Sequence, residues 1–149
     1  MKQYSDDARV KLTEACEGLE LKVYPDPGTD GAPWTAGYGH TGPDVAPGMV
    51  VTQALADEWL KADLQHAVSV VNQLVTVPLT QHQFDALVDF TFNCGAGNFK
   101  NSTLLRLVNQ SQFALADAEF AKWVRAANQV LPGLVKRRKL EAAWFNVPD

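Results

Sequence analysis

The sequence predicts an α+β fold, mostly helical, in two lobes: a small antiparallel sheet lobe, a long connecting helix and a helical lobe. Three observations predict it. Apolar residues recur at helical spacing from Ala8 to Leu19 and through most of the chain after Leu55. The stretch between them, 17–42, reads EGLELKVYPDPGTDGAPWTAGYGHTG and carries short alternating segments separated by Gly and Pro, as hairpin strands do. The apolar pattern after Thr52 continues for about 22 residues, or some 33 Å, enough to join two lobes. The predicted divisions are a sheet lobe over 18–52, a connecting helix over 53–75, and a helical lobe over 76–149 that includes the N-terminal helix.

Each element has a local reason. Ser5 caps a helix whose first turn holds Asp6 and Asp7, at the positive end of the helix dipole. Its apolar face is Ala8, Leu12, Ala15, Cys16 and Leu19, and Gly18 ends it. Leu21 to Tyr24 alternates as a strand, PDPGTDG turns, and Pro33 to Tyr38 returns, with Gly37 and Gly39 leaving room for a close neighbour. Pro43 to Gly48 is a loop or a third short strand. Thr52 caps the long helix, whose face is Leu55, Trp59, Leu60, Leu64, Ala67, Val68, Val71 and Leu74. Thr80 with Gln83 forms a capping box and Leu79 with Phe84 a hydrophobic staple. The helix they start runs through Phe92 and is apolar nearly all round, so it belongs in the centre of the larger lobe; Gly95 and Gly97 end it. Ser102 and Ser111 each cap a further helix, Pro132-Gly133 breaks the chain, and a last helix carries Lys136 to Lys139 and then Trp144 and Phe145.

The totals narrow the function. A length of 149 residues suits one domain or two small lobes, and 46% hydrophobic residues is ordinary for a globular chain. A net charge of −4 gives no global attraction to nucleic acid or acidic membranes. No apolar run is long enough for stable membrane insertion, and the N-terminus MKQYSDDARVKL has no signal-peptide core. Cys16 and Cys94 are too few for a disulfide framework and read as reduced, buried thiols. His40, His66 and His82 are scattered, with no metal-ligand spacing, so no metal or cofactor is expected.

Chemistry centres on acids. Glu17 falls in the last turn of the first helix, where the dipole disfavours a charged carboxylate, as suits a general acid. Asp26 lies in a proline-framed turn and Thr35 on the returning strand. Two carboxylates flanking a bond fit glycoside hydrolysis, one as proton donor and the other as nucleophile or water-orienting base. A threonine hydroxyl beside the second acid helps hold that water. Trp34 and Tyr38 suit sugar stacking or packing of the small lobe. The basic run Lys136 to Lys139 fits a solvated helix face, a nucleic-acid contact or an arginine paired to an acid.

At these residues the sequence resembles the phage-type lysozymes of glycoside hydrolase family 24, which include the T-even phage enzymes. The resemblance begins with Glu17-Gly18, continues through Tyr24-Pro25-Asp26 and the segment from Pro33 to Gly42, and resumes at Leu79 to Leu87, Phe92 to Gly97, Ser102 to Leu105, and Gly133 to Arg138. It covers nearly the whole chain, in order. It implies a two-lobed lysozyme fold with a cleft between the lobes, and a monomeric enzyme that hydrolyses the β-1,4 bond between N-acetylmuramic acid and N-acetylglucosamine in peptidoglycan, by inversion. Carried over, Glu17 is the general acid, and Asp26 and Thr35 place the attacking water. Phe92 and Ser102 match residues bordering the substrate cleft. His40 matches a histidine paired with an aspartate of the long helix, here Asp63, and Arg137 matches a basic residue near the end of the first helix. The turn between Asp26 and Thr35 is three residues longer than in the T-even enzymes, a departure that bears on Thr35. The resemblance further implies an endolysin held in the host cytoplasm until holin-mediated release to the cell wall, with no nucleic-acid partner. The other readings are a catalytically silent peptidoglycan-binding module and a glycosidase acting on chitin.

Overall fold

The computed structural model describes residues 1–148. The chain divides into two compact units, one formed by Glu14–Gln65 and the other by Met1–Thr13 with the chain from His66 onward. Both boundaries fall inside helices, so the first helix and the long helix each give residues to both units.

The Glu14–Gln65 unit holds an antiparallel sheet of β1 (Glu20–Asp26), β2 (Gly31–Gly37) and β3 (His40–Thr41), in that spatial order. Glu20 pairs with Gly37, Tyr24 with Thr35 and Asp26 with Gly31, and the register shifts on each side of the Tyr24–Thr35 pair. Thr35 pairs with Thr41 and Ala36 with His40. Residues 43–48 are the loop of the two alternatives, and the third strand precedes them, because Gly39, at φ +80°, turns the chain back within two residues. On the far side of β1, Val50 bridges Lys22, and the Val51 amide donates to the Leu21 carbonyl at 2.9 Å. Ala36, Val45, Val51, Ala56, Trp59, Leu60 and Leu64 are this unit's buried apolar residues, with Tyr38. Gly37 permits the sheet's close approach to the helix: a Cβ there would lie 3.3 Å from the Ala56 Cβ, and φ is +67°.

The long helix, Gln53–Leu74, is capped by the Thr52 hydroxyl, which accepts from the Leu55 amide at 3.1 Å. The first helical run, 6–17, starts as expected at Ser5, whose hydroxyl accepts from the Ala8 amide, and stops at Gly18 (φ +71°). Its middle, Arg9–Glu14, is π-helical, a widening that periodicity alone does not announce.

In the other unit the helix Gln81–Cys94 starts with the predicted capping box, and every residue from Phe84 to Thr91 is buried. It packs against the C-terminal helix Pro132–Phe145. Phe90 meets the rings of Phe99, Phe120 and Trp123 edge-on. Several buried polar groups in this core are partnered, while the Thr91 hydroxyl, on the helix Gln81–Cys94, has no hydrogen-bond partner among the described residues. The Asp85 carboxylate accepts from the Ser5 hydroxyl at 2.6 Å and the Gln81 amide at 2.8 Å, tying down the N-terminus. Asp89 accepts both Nε (2.9 Å) and Nη2 (2.8 Å) of Arg137 and the Thr13 hydroxyl at 2.7 Å. Arg138 donates to Glu141 at 3.0 Å and to Asn93 at 2.7 Å. Burial pushes the Glu141 carboxyl well up, reinforced by a hydrogen bond to Asp89. Asp89 is held low: the bonds from Glu141 and Arg137 outweigh its own burial.

Four expectations change. Ser102 caps the helix Thr103–Asn109 as expected, but Ser111 caps nothing: it takes φ +57°, and the next helix, Phe113–Asp117, starts after Gln112. Gly97 lies within a short helix, Ala96–Lys100, and Gly95 alone turns the chain. Pro132 starts the C-terminal helix instead of breaking the chain, since a first-turn residue needs no N–H partner. A small hairpin, β4 (Arg125–Ala126) and β5 (Gln129–Val130), precedes it, turned by Ala127 and Asn128 with positive φ.

Candidate active site

The sequence-derived acid and its partners fall in the Glu14–Gln65 unit. Glu17 is the last residue of the first helical run, held there because Gly18 leaves the helix and leads directly into β1. Its carboxylate is half-buried and lies against the β2–β3 turn: a Cβ at Gly39 would come within 3.3 Å of Oε2. Glycine at 39 supplies the turn's φ of +80° and keeps a Cβ from crowding the acid.

Asp26 ends β1 and organises its own turn. Oδ2 accepts the amides of Gly28 (3.0 Å) and Thr29 (3.1 Å), and its carbonyl accepts from Asp30 at 2.7 Å. The carboxylate is thereby oriented by backbone, with Oδ1 outside those bonds. Thr35 is half-buried on β2, opposite Tyr24 and two residues along the ladder from Asp26. Tyr24 is the residue that sequence reasoning missed as a site member. Its ring is partly exposed, and its phenol is raised by burial first and then by the carboxylates of Glu20 and Glu17. Glu17 is thus within electrostatic reach of the Tyr24 phenol. Sequence alternation gave no signal for it, because the β1–β2 register shifts on both sides of Tyr24.

His40 follows the Gly39 turn. Its Nδ1 lies 2.7 Å from Asp63 on the long helix, and its Nε2 lies 2.9 Å from Oδ1 of Asp44. The ring stacks on Trp59 with centroids 4.4 Å apart. Burial pulls the imidazolium down, but the bonds to Asp63 and Asp44 outweigh it and leave the histidine raised above its usual value. Asp44 is the second missed partner, in an exposed turn with no periodicity to mark it. Tyr38 is buried, and its hydroxyl accepts from Gln53 at 3.0 Å, so that ring packs in the unit's core.

The profile of the phage lysozyme family, described as Phage lysozyme, matches residues 14–141. The chain belongs to this family. The endolysin of Bacillus phage PZA is 45% identical over 139 residues, covering 93% of this chain and 54% of that one. This chain thus spans about half the length of the first relatives it matches, the endolysin of Bacillus phage B103 (52% of its length) being another. A relative named SAR-endolysin, from Escherichia phage Mu, is 39% identical over 113 residues, covering 76% of this chain and 66% of that one. Among solved structures, the muramidase domain of SpmX from Asticaccaulis excentricus superposes with TM-score 0.90 at 39% identity, covering 99% of this chain and all of that one (100%). A P22 lysozyme variant superposes with TM-score 0.87 at 37% identity, covering 97% and 99%.

The other residues singled out in this phage lysozyme family member belong to the second unit. Phe92 is half-buried in the last turn of Gln81–Cys94. Ser102 is buried, and its hydroxyl is engaged: it donates to the Phe99 carbonyl at 2.7 Å and accepts from the Leu105 amide at 3.0 Å. In the basic run, Arg137 and Arg138 are buried in the network with Asp89 and Glu141, while Lys136 and Lys139 are exposed. Cys16 and Cys94 are free thiols, half-buried rather than buried as expected. Burial pushes the Cys94 thiol up against the opposing pull of Arg138, which donates to its sulfur. Among the described residues no group of three or more His, Cys, Asp or Glu is placed to hold a metal ion, and no helix is long and apolar enough to cross a membrane.

Proposed function

We propose that this chain is a muramidase that hydrolyses the β-1,4 bond between N-acetylmuramic acid and N-acetylglucosamine in peptidoglycan, lysing a bacterial host at the end of a phage cycle. The observation that carries the reading is the arrangement within one compact unit: a helix-terminal acid packed on the Gly39 turn, beside a sheet that presents an Asp26 oriented by two amides and, near it, Thr35. Membership of the phage lysozyme family supports the substrate class.

In this reading Glu17 donates its proton to the glycosidic oxygen as the bond to the anomeric carbon breaks. Asp26 takes a proton from a water held also by the Thr35 hydroxyl. The water oxygen bonds to the anomeric carbon from the opposite face, so the product is inverted. Phe92 offers a half-buried ring to the sugar chain, and Ser102 contributes through the backbone that its cap holds in place. His40 and Asp63 serve the architecture of the site. No cofactor takes part. Release to the wall is by a holin; the SAR-endolysin name of one relative supports a different release route as the competing arrangement, and lysis timing with and without a holin gene separates them.

The deciding experiment compares wild type with Glu17→Gln on purified peptidoglycan, with circular dichroism as the folding check. Release of reducing ends by the wild type alone, with muramic acid at the new reducing terminus, is the expected result. No release by a folded wild type that still sediments with the wall would replace this reading with a binding module. Products from chitin oligomers alone would replace it with a chitinase.

A further inference from the structure

His40 stands next to Gly39, and Gly39 is the backbone on which the Glu17 carboxylate rests. The ring is gripped at both nitrogens. Asp63, on the long helix, holds Nδ1 at 2.7 Å; Asp44, in the following turn, holds Nε2 with both oxygens, at 2.9 and 3.1 Å. Among the described residues these two carboxylates are the charged groups in hydrogen-bond contact with the ring, and Trp59 is stacked on it. Gly42 keeps the second grip possible: a Cβ there would lie 2.9 Å from Asp44 Oδ1 and 3.7 Å from His40 Nε2. Two glycines of the Gly39-His40-Thr41-Gly42 segment thus make room for two carboxylates, Glu17 on one side and Asp44 on the other.

We propose that His40 is a positioning residue for Glu17: the Asp63–His40–Asp44 bridge fixes the Tyr38–Gly39 turn, and that turn fixes the acid's carboxylate. This rests on Glu17 being the general acid. Both grips exist together only when the ring carries two N–H groups, because a neutral imidazole has a single donor. Deprotonation releases one carboxylate and loosens the turn. The bridge therefore sets the alkaline limit of turnover.

Asp44→Ala removes one grip without touching Glu17, Asp26 or Thr35. Gly42→Ala is a second, blunter variant: its methyl displaces the far end of the Asp44 side chain, and φ +155° also strains the backbone there, so it is read only beside Asp44→Ala. The expected result for both, measured on soluble peptidoglycan fragments from pH 5 to 9, is a several-fold fall in kcat at neutral pH with KM little changed. The alkaline limb of the kcat profile also moves to lower pH, because His40 has lost a carboxylate that favours its charged form. Asp44→Glu restores the limb towards its wild-type position. An unmoved alkaline limb and unchanged kcat, with only a lowered Tm, would overturn the proposal and leave the bridge a purely stabilising feature. Glu17→Gln is run beside them: retained turnover in that variant overturns the general-acid assignment itself, a result distinct from an insensitive Asp44 or Gly42.

Discussion

Replacing Asp89 with Ala tests the buried ionic network most severely. The Arg137 side chain is 5% exposed and that of Asp89 fully buried, so water cannot replace the lost carboxylate. Asp89 accepts from Arg137 at 2.8 and 2.9 Å and from Thr13 at 2.7 Å, and is also hydrogen-bonded to Glu141. Breaking a buried pair by removing one partner costs about 3–5 kcal/mol, most of it the desolvated charge left behind. In a chain of this size each kcal/mol lowers Tm by about 2–4 °C, so the expected fall is about 6–20 °C. Asp89→Asn keeps an acceptor for Thr13 or Arg137 and should lose about half as much. Urea titration followed by circular dichroism gives the free energies, and calorimetry the Tm. A cost below about 1 kcal/mol for Asp89→Ala, with an unchanged m-value, would refute the reasoning, because it would mean that the network is hydrated or readily rearranged.

Thr80→Ala removes a cap that accepts from the Gln83 amide while Gln83 reaches back to the Thr80 amide, so denaturation should show a loss of about 1 kcal/mol. His40 links stability to pH. Its folded value is raised, so the bridge contributes fully below about pH 6.5 and its contribution is lost as pH rises through the folded value. Unfolding free energies from pH 6 to 9 should therefore fall more in the wild type than in Asp63→Asn, whose curve is flatter; parallel curves would contradict this.

How far the sequence was legible follows from the range of the interactions involved. Ser5, Thr52, Thr80 and Ser102 act on amides three residues away, so a cap and the periodic run behind it are visible in a short window. Ser111 looked the same in sequence, but its positive φ closes the preceding helix. The hairpin at 125–130 was hidden because Ala127 and Asn128 take the left-handed conformation with no glycine to signal it. The acids at 85 and 89 sit on a helix that reads as apolar, and their partners lie as far as 80 residues away, at Ser5, Thr13 and Arg137. In the candidate site, Glu17 was legible from its helix end and Asp26 from its turn. Tyr24 and Asp44 were not, because a strand neighbour and a loop carboxylate gain their meaning only from register and folding-back of the chain.

The most direct test of the central claim is the rate of reducing-end release from purified peptidoglycan by Glu17→Gln against wild type, at equal folded concentration. A loss of at least 100-fold, of the order expected for a general acid, with unchanged circular dichroism is predicted. Equal rates from the two proteins would contradict the assignment of Glu17 and the chemistry built on it.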